Sequence, residues 1–403
     1  MMAGALDGVK ILGFTHFAQA PFALQLLGDL GADVINVERP GTGDFNRVYQ
    51  AQESMGGESP FFLAMNRNKR SLTLDLKNPQ AKEIVFKLFK EVDAVVTNYR
   101  PGVLDKLGLG YEEAKKINPA IVFCEAIGYG SSGPYAALPG QDLLAQSLSG
   151  YASVVGPDQD GRPVAGGVYM VDMYGAMVLN VGVLSALLSA RQTGKGQKVE
   201  VNLLSSGVHF QSQELACYLN TGKLPERPKT YSGHYLQEAP YGIYKTQDGW
   251  MSFATNMVDN AEWKIKTLEE LLGIDTLHDI MKERAALMRD RDKIHAIMEE
   301  ALVKKPTAHW LKAFQEVGFW CAKVNNYAEV AEDPQVLHNG CIVEIEHPVA
   351  GTYKAIAAPI EMSETPPTIR RPAPLLGQHN DEILHELGYA DAEIEALREK
   401  RVF

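Results

Sequence analysis

Short β-rich runs alternate with amphipathic segments along the first third of the chain. "VKILGF" precedes "PFALQLLGDLGA", whose apolar residues recur at helical spacing, and "DVINVE" follows. The same order returns with "SLTLDL", the helical "PQAKEIVFKLFKEV" and "DAVVTNY", then with "YEEAKKI" and "AIVFCEAIGYG". Strand–helix–strand units of this length require parallel pairing through a crossover, which predicts an open, doubly wound parallel sheet with helices on both faces.

A long apolar segment, "GGVYMVDMYGAMVLNVGVLSALLSA", carries a single charge, Asp172. A carboxylate removed from water must be capped, paired, hydrated or used. The simplest reading makes Asp172 the N-cap of a helix running to about Ser189. Tyr174, Gly175, Asn180 and Gly182 interrupt the apolar run, so a buried core helix fits better than a membrane span. From about Leu224 the texture changes. "LPERPKTYSGHYLQEAPYG" reads as a linker, "GIYKTQDGWMSFAT" as a hairpin turning at Asp248-Gly249, and residues 260–320 as charged amphipathic helices. Beyond them lie β-like sequence from Cys341, a Pro-rich stretch and a closing helix. We therefore divide the chain into a large domain at 1–224, a smaller α+β domain with its linkers at 225–330, and a C-terminal segment at 331–403.

Composition narrows the chemistry. The 403 residues are 45% hydrophobic and 22% charged, as in a globular protein, and the net charge of −11 opposes non-specific nucleic-acid binding. Cys124, Cys217, Cys321 and Cys341 lie far apart with no C-x-x-C pair, which argues against a disulfide framework and a zinc site and fits the cytoplasm. No signal peptide opens the sequence, and no His/Cys/carboxylate cluster has ligand spacing, so neither a metal nor a tightly bound cofactor is expected. The first strand is followed by "FTHFAQAP" rather than G-x-G-x-x-G, which disfavours a dinucleotide enzyme.

Basic residues follow or flank several predicted strands: Arg39 in "ERPGTGD"; Lys69, Arg70 and Lys77 in "NRNKRSLTLDLK"; Arg100 and Lys106 in "TNYRPGVLDKLGL". Each cluster alone reads as a turn or a solvated face. Gathered at the carboxyl ends of neighbouring strands, they would suit a ligand with several phosphates.

Five stretches in order, "FTHFAQAPFALQLLGDLGADVINVERPGTGD", "NKRSLTLDLK", "TNYRPGVLDKLGL", "VYMVDMYGAM" and "ARQTGKGQKVEVNLL", resemble the class III coenzyme A transferases, the CaiB/BaiF family. The resemblance extends to the closing "RRPAPLLGQHNDEILHELGY". It implies a Rossmann-like large domain built from both ends of the chain, a small domain between, and an interlocked homodimer. It also implies coenzyme A as a substrate, passed from an acyl-coenzyme A to a small free carboxylic acid. Asp172 falls on the family's nucleophile. The coenzyme pocket falls on His16, Ala18, Gln19, Arg39, Leu74, Lys77, Asn98, Tyr99, Arg100 and Lys106, with Gln141 and Asp142 nearest the thioester.

The chemistry accounts for the lone carboxylate. Attack by Asp172 on the thioester gives an acyl–aspartyl anhydride and a thiolate, and the thiolate returns to form an aspartyl thioester that an incoming acid reverses. With an ordinary pKa near ~3.9 the nucleophile is ionised at neutral pH, and the helix N-terminus can offer N–H groups to oxyanions. Oxalate-specific members carry Gln where Ala18 stands, and a run of consecutive glycines near the small domain where this chain has something like "YSGHYLQ"; both departures count against oxalate. A 2-methylacyl-coenzyme A racemase of the same superfamily is the alternative. It needs proton carriers on both faces of the α-carbon, and the corresponding positions hold Gln141 and, by approximate alignment, Met257. His209 and His234 read as structural, and an idle acyl-coenzyme A binding protein is the third reading.

Overall fold

The structure, a computed structural model, describes residues 4–158, 160–257, 259 and 261–403. The chain forms two compact units, one of residues 1–149, 168–210 and 334–403, the other of 150–167 and 211–333.

In the first unit, β1 (Lys10–Phe14), α1 (Gln19–Asp29), β2 (Asp33–Glu38), α2 (Pro60–Asn66), β3 (Lys69–Thr73), α3 (Pro79–Glu91) and β4 (Ala94–Thr97) come in turn. They lead to α4 (Val103–Lys106), α5 (Tyr111–Ile117), β5 (Val122–Ile127), α6 (Asp142–Leu148), α7 (Met170–Thr193), β6 (Lys198–Asn202) and α8 (Leu203–Phe210). The six strands form one parallel sheet in the order β3-β2-β1-β4-β5-β6. Successive strand residues face opposite sides. Leu12, Phe14, Val37, Leu72, Val95 and Phe123 enter a core with α3 and with the C-terminal Ile383, Leu384, Ile394 and Leu397. Ile11, Val34, Val96 and Cys124 pack instead with α1 and α7, through Leu24, Leu27, Leu179 and Val183. The predicted strands and helices of the first 130 residues are all present. The sequence reading did not include β6: "KVEVN" is a short polar–apolar alternation at the sheet edge, where Lys198 and Glu200 are exposed and Val201 alone is buried.

α7 continues past Ser189 to Thr193, where Gly194 adopts φ of 71°. By length and composition it could cross a membrane. Its stripe of Ala176, Leu179, Val183, Ala186, Leu187 and Ala190 is nonetheless packed into the core.

The second unit holds the predicted hairpin, β7 (Gly242–Lys245) with β8 (Trp250–Phe253), extended by β9 (Cys321–Lys323). Tyr244, Phe253, Trp310 and Phe314 lie at the centre of its core. Its boundaries differ from the division at 224 and 330. The unit starts at Gln211 and includes 150–167 because Arg227 donates to Val155 O, Asp158 Oδ1 and Arg162 O, which composition could not reveal.

The "NRNKR" run is structural. Arg67 forms a buried fork on Asp29, with contacts from 2.7 to 3.2 Å, and donates to Ile356 O. Lys69 donates from Nζ to Pro21 O, Met65 O and Asn66 Oδ1, and burial pulls its pKa down to about 7. Arg70 pairs with Asp33, Glu382 and Glu386. These residues precede or begin β3, so they lie at the amino edge of the sheet. The expected convergence of Lys69 and Arg70 with the other basic clusters at the carboxyl edge does not occur.

Candidate active site

Parallel strand order reverses between β1 and β4, and the chain leaving each runs to opposite faces, opening a crevice at their carboxyl ends. A cleft of about 840 Å³ lies there. It is lined by the segments following β1, β2, β4 and β5, by 136–141 and by the start of α7.

The loop after β1 is fixed from two sides. Phe17 adopts φ of 61°, an uncommon state for a bulky residue. Such strain persists only where neighbours over-determine it. His16 N donates to Asn98 Oδ1 at 3.0 Å and Asn98 Nδ2 returns a bond to His16 O. Phe17 N donates to Asp44 Oδ1, and Asn46 Nδ2 donates to Phe17 O. Burial lowers the His16 pKa, so its ring is neutral at neutral pH. Aromatic rings continue from Phe17 through Phe45, Tyr49 and Phe61 to Tyr169, each 5.6–6.2 Å from the next.

Asp172 lies in the first turn of α7, not at its cap. Tyr169 holds the cap position and contributes no side-chain bond. Asp142, the first residue of α6, takes over that task. Its Oδ1 accepts from Val171 N at 2.8 Å and Asp172 N at 3.0 Å, and its Oδ2 accepts from Gln146 Nε2. The Asp172 carboxylate is half-buried at the cleft, and no hydrogen bond reaches it among the described residues. Burial, with the Asp142 charge as the lesser cause, pushes its pKa up to about 7. The ordinary value assumed from sequence is thereby corrected: near neutrality the group is shared between acid and carboxylate.

Of the other residues named from sequence, His16, Ala18, Gln19, Arg39, Asn98, Tyr99, Arg100 and Gln141 line the cleft. Four do not. Asp142 is buried behind Gln141 as the cap. Leu74 belongs to the sheet core. Lys77 and Lys106 are exposed beyond β3 and in α4. His209 meets the Tyr174 hydroxyl, and His234 meets Glu214 in the second unit. No metal-type cluster occurs among the described residues.

Sequence reasoning missed the polar floor of the cleft. Glu38 is buried and held by a fork from Arg47, at 2.8 and 2.7 Å, and by Ser71. Arg47 in turn stacks over Phe62. Among the described residues, Asp44 and Asn46 keep Oδ2 and Oδ1 without partners, and Gln19 keeps Nε2 without one. The "GTGD" run hinted at Asp44, but nothing local connects Arg47 with Glu38 or Gln19 with α7.

The raised Asp172 pKa has a stability consequence. The folded protein keeps a proton that the unfolded chain releases, so this group's contribution falls as pH rises from about 4 to about 7. Asp172→Asn carries no such cost. Its Tm should exceed the wild-type value at pH 8, and the gap should shrink towards pH 5 in scanning calorimetry. An equal gap at both pH values would contradict the shift.

Residues 6–380 match the family described as CoA-transferase family III. The chain is 37% identical, over 97% of its length and 88% of the relative's, to succinyl-CoA:glutarate CoA-transferase from Homo sapiens. It is 32% identical, over 99% and 97%, to formyl-CoA:oxalate CoA-transferase from Rhodopseudomonas palustris. A crystal structure of a CAIB/BAIF family protein from Brucella suis superposes with a TM-score of 0.83 at 30% identity, covering 96% of this chain and 100% of that one. The chain belongs to CoA-transferase family III and is an enzyme that transfers coenzyme A.

Proposed function

We propose that the protein passes coenzyme A from an acyl-coenzyme A to a free carboxylic acid through covalent intermediates on Asp172. The observation that carries this reading is the bare, half-buried Asp172 carboxylate at the cleft. An unsolvated carboxylate is a better nucleophile than a hydrated one, and the row of aromatic rings from Phe17 to Tyr169 lines the same cleft.

An oxygen of Asp172 attacks the thioester carbon, the carbon–sulfur bond breaks, and coenzyme A leaves as thiolate. The thiolate then attacks the aspartyl carbonyl of the anhydride, and the donor acid departs as carboxylate. The acceptor carboxylate attacks the resulting aspartyl thioester, and the thiolate finally attacks the acyl carbonyl of the new anhydride, which frees Asp172. Each step conserves the acyl activation energy and needs no proton. We assign Arg39 and Arg100 to the phosphates of coenzyme A, with Lys77 and Lys106 further out. The human relative suggests succinyl-coenzyme A and glutarate as the first pair to assay. The racemase alternative gains nothing: the curated relatives named above are transferases, and Gln141 at the cleft cannot carry a proton between faces.

We also propose an interlocked homodimer in the cytoplasm. Exposed Val181 and Leu188 on α7, with Val208 and Phe210 on α8, support an apolar contact with a second copy. All four cysteines are unpaired, which supports a reducing compartment.

Incubation with succinyl- or acetyl-coenzyme A and hydroxylamine should convert Asp172 to a hydroxamate detectable by peptide mass spectrometry. In the wild type kcat should rise with pH through about 7 as Asp172 ionises. An unmodified Asp172 peptide under turnover would remove the covalent route.

Arg39→Ala and Arg100→Ala should each raise KM for the acyl-coenzyme A about tenfold or more with smaller change in kcat, since a charge-assisted bond is worth about 1.5–3 kcal/mol. Unchanged KM in both variants would place the phosphates elsewhere.

Linked subunits cannot part without unfolding, so light scattering should return a dimer mass down to nanomolar concentration. A folded monomer on dilution would exclude the linkage.

A further inference from the structure

We infer that the Gln19 side-chain amide is the donor that holds the acyl carbonyl oxygen while Asp172 attacks, which makes Gln19 a catalytic residue. The inference rests on the transferase reading above.

Gln19 opens α1, lines the cleft and is 5% exposed, yet among the described residues its Nε2 has no partner. A buried donor left unpaired costs about 1–3 kcal/mol, so one kept at a cleft is explained by a ligand that accepts from it. The amide lies against α7. A Cβ built on Gly175 would come within 2.5 Å of Gln19 Nε2. Gly175 follows Asp172 by three residues, on the same helical face. The donor is therefore one helical turn from the nucleophile.

The N-terminus of α7 offers no alternative. Met170 N donates to Val168 O, Val171 N and Asp172 N to Asp142, and Met173 N to Tyr169 O. The sequence-based expectation that these amides would receive an oxyanion is met by a helix end already filled. Among the described residues, the buried side-chain atoms without partners along the cleft are Asp44 Oδ2 and Asn46 Oδ1, which are acceptors, and Gln19 Nε2, which is a donor. Ser206 Oγ, also near Gly175, is committed to Asn202 O.

The step balances without protons. A lone pair on an Asp172 oxygen forms the bond to the thioester carbon, and the C=O π pair moves to the carbonyl oxygen, where Gln19 N–H receives the charge. Collapse restores C=O and expels the thiolate of coenzyme A. Gly175 belongs to the same device, because any side chain there would take the place of the amide.

Two variants test the pair, with acetyl- and succinyl-coenzyme A plus hydroxylamine as probes. Gln19→Met keeps the length and apolar bulk but removes the donor. It should lower the single-turnover rate of thiol release and of Asp172 hydroxamate formation about 100-fold, within the range for loss of an oxyanion donor. KM for the acyl-coenzyme A should stay within about threefold, as for an interaction made in the transition state alone. Gly175→Ala replaces glycine by a better helix former, so its Tm should hold or rise while the same rates fall. A Gln19→Met enzyme with wild-type rates, or one altered in KM alone, overturns the inference while wild-type labelling at Asp172 upholds the covalent reading. If Gln19→Met does not fold, a Gly175→Ala enzyme with wild-type rates overturns the inference by itself. Absence of labelling in the wild type overturns both.

Discussion

The site depends on one carboxylate capping a helix for another. Asp142 takes the N–H groups of Val171 and Asp172, and its second oxygen is fixed by Gln146. That arrangement anchors the head of α7 and leaves the side chain of Asp172 nothing to do locally. A capping aspartate at 172 would have turned its oxygens back into the helix. With the cap supplied from α6, the Asp172 carboxylate faces the cleft bare. The same neighbour places a negative charge close by, which adds to burial in raising the Asp172 pKa. Asp142 thus anchors the helix and adds, as the lesser cause beside burial, to the raised pKa of Asp172.

The capped helix would be useless without a rigid opposite wall. Reversal of strand order puts the segments after β1 and β4 side by side, and the His16–Asn98 exchange stitches them together. Asp44 and Asn46, carried by the loop after β2, hold Phe17 in its unusual backbone state. Three strand ends are in this way joined by side chains that bond to backbone, an arrangement that resists shear more than pairs of flexible side chains would. Further along, Gly128 and Gly140 meet backbone to backbone: a Cβ on Gly140 would lie 2.3 Å from Gly128 Cα. This close approach brings the 136–141 segment, with Gln141, onto the cleft.

Much of this was legible in the sequence, for a physical reason. Parallel strands buried on both faces read as near-continuous apolar runs, and crossover helices keep their period, so the sheet and its crevice followed from pattern. Asp172 stood out because a single charge in an apolar segment is rare. The edge strand Lys198–Asn202 was missed because exposure breaks the apolar run. The basic run at Arg67–Arg70 misled because charge has no direction in a sequence; only the placement of β3 shows that it faces the amino edge, tied to Asp29, Asp33 and the C-terminal segment. Asp142 as cap, Arg47 on Glu38 and Gln19 beside Gly175 link positions that only folding brings together, and spacing cannot signal them.

An acidic protein that handles a polyanion must keep its own acids from repelling it. The cleft carries Glu38, Asp44 and Asp172 alongside Arg39 and Arg100. Glu38 is neutralised by the Arg47 fork, which holds its pKa below the ordinary range despite burial. Asp44, lacking such a fork, has its pKa raised by burial, while the Lys69 charge acts in the opposite sense. Asp172 is itself only partly ionised near neutrality. The fixed negative charge in the cleft is therefore smaller than the residue names suggest, and Arg39 and Arg100 stand exposed beside it. Compensation from behind the cleft thus lets a chain of net charge −11 keep its cleft carboxylates from outweighing the two arginines.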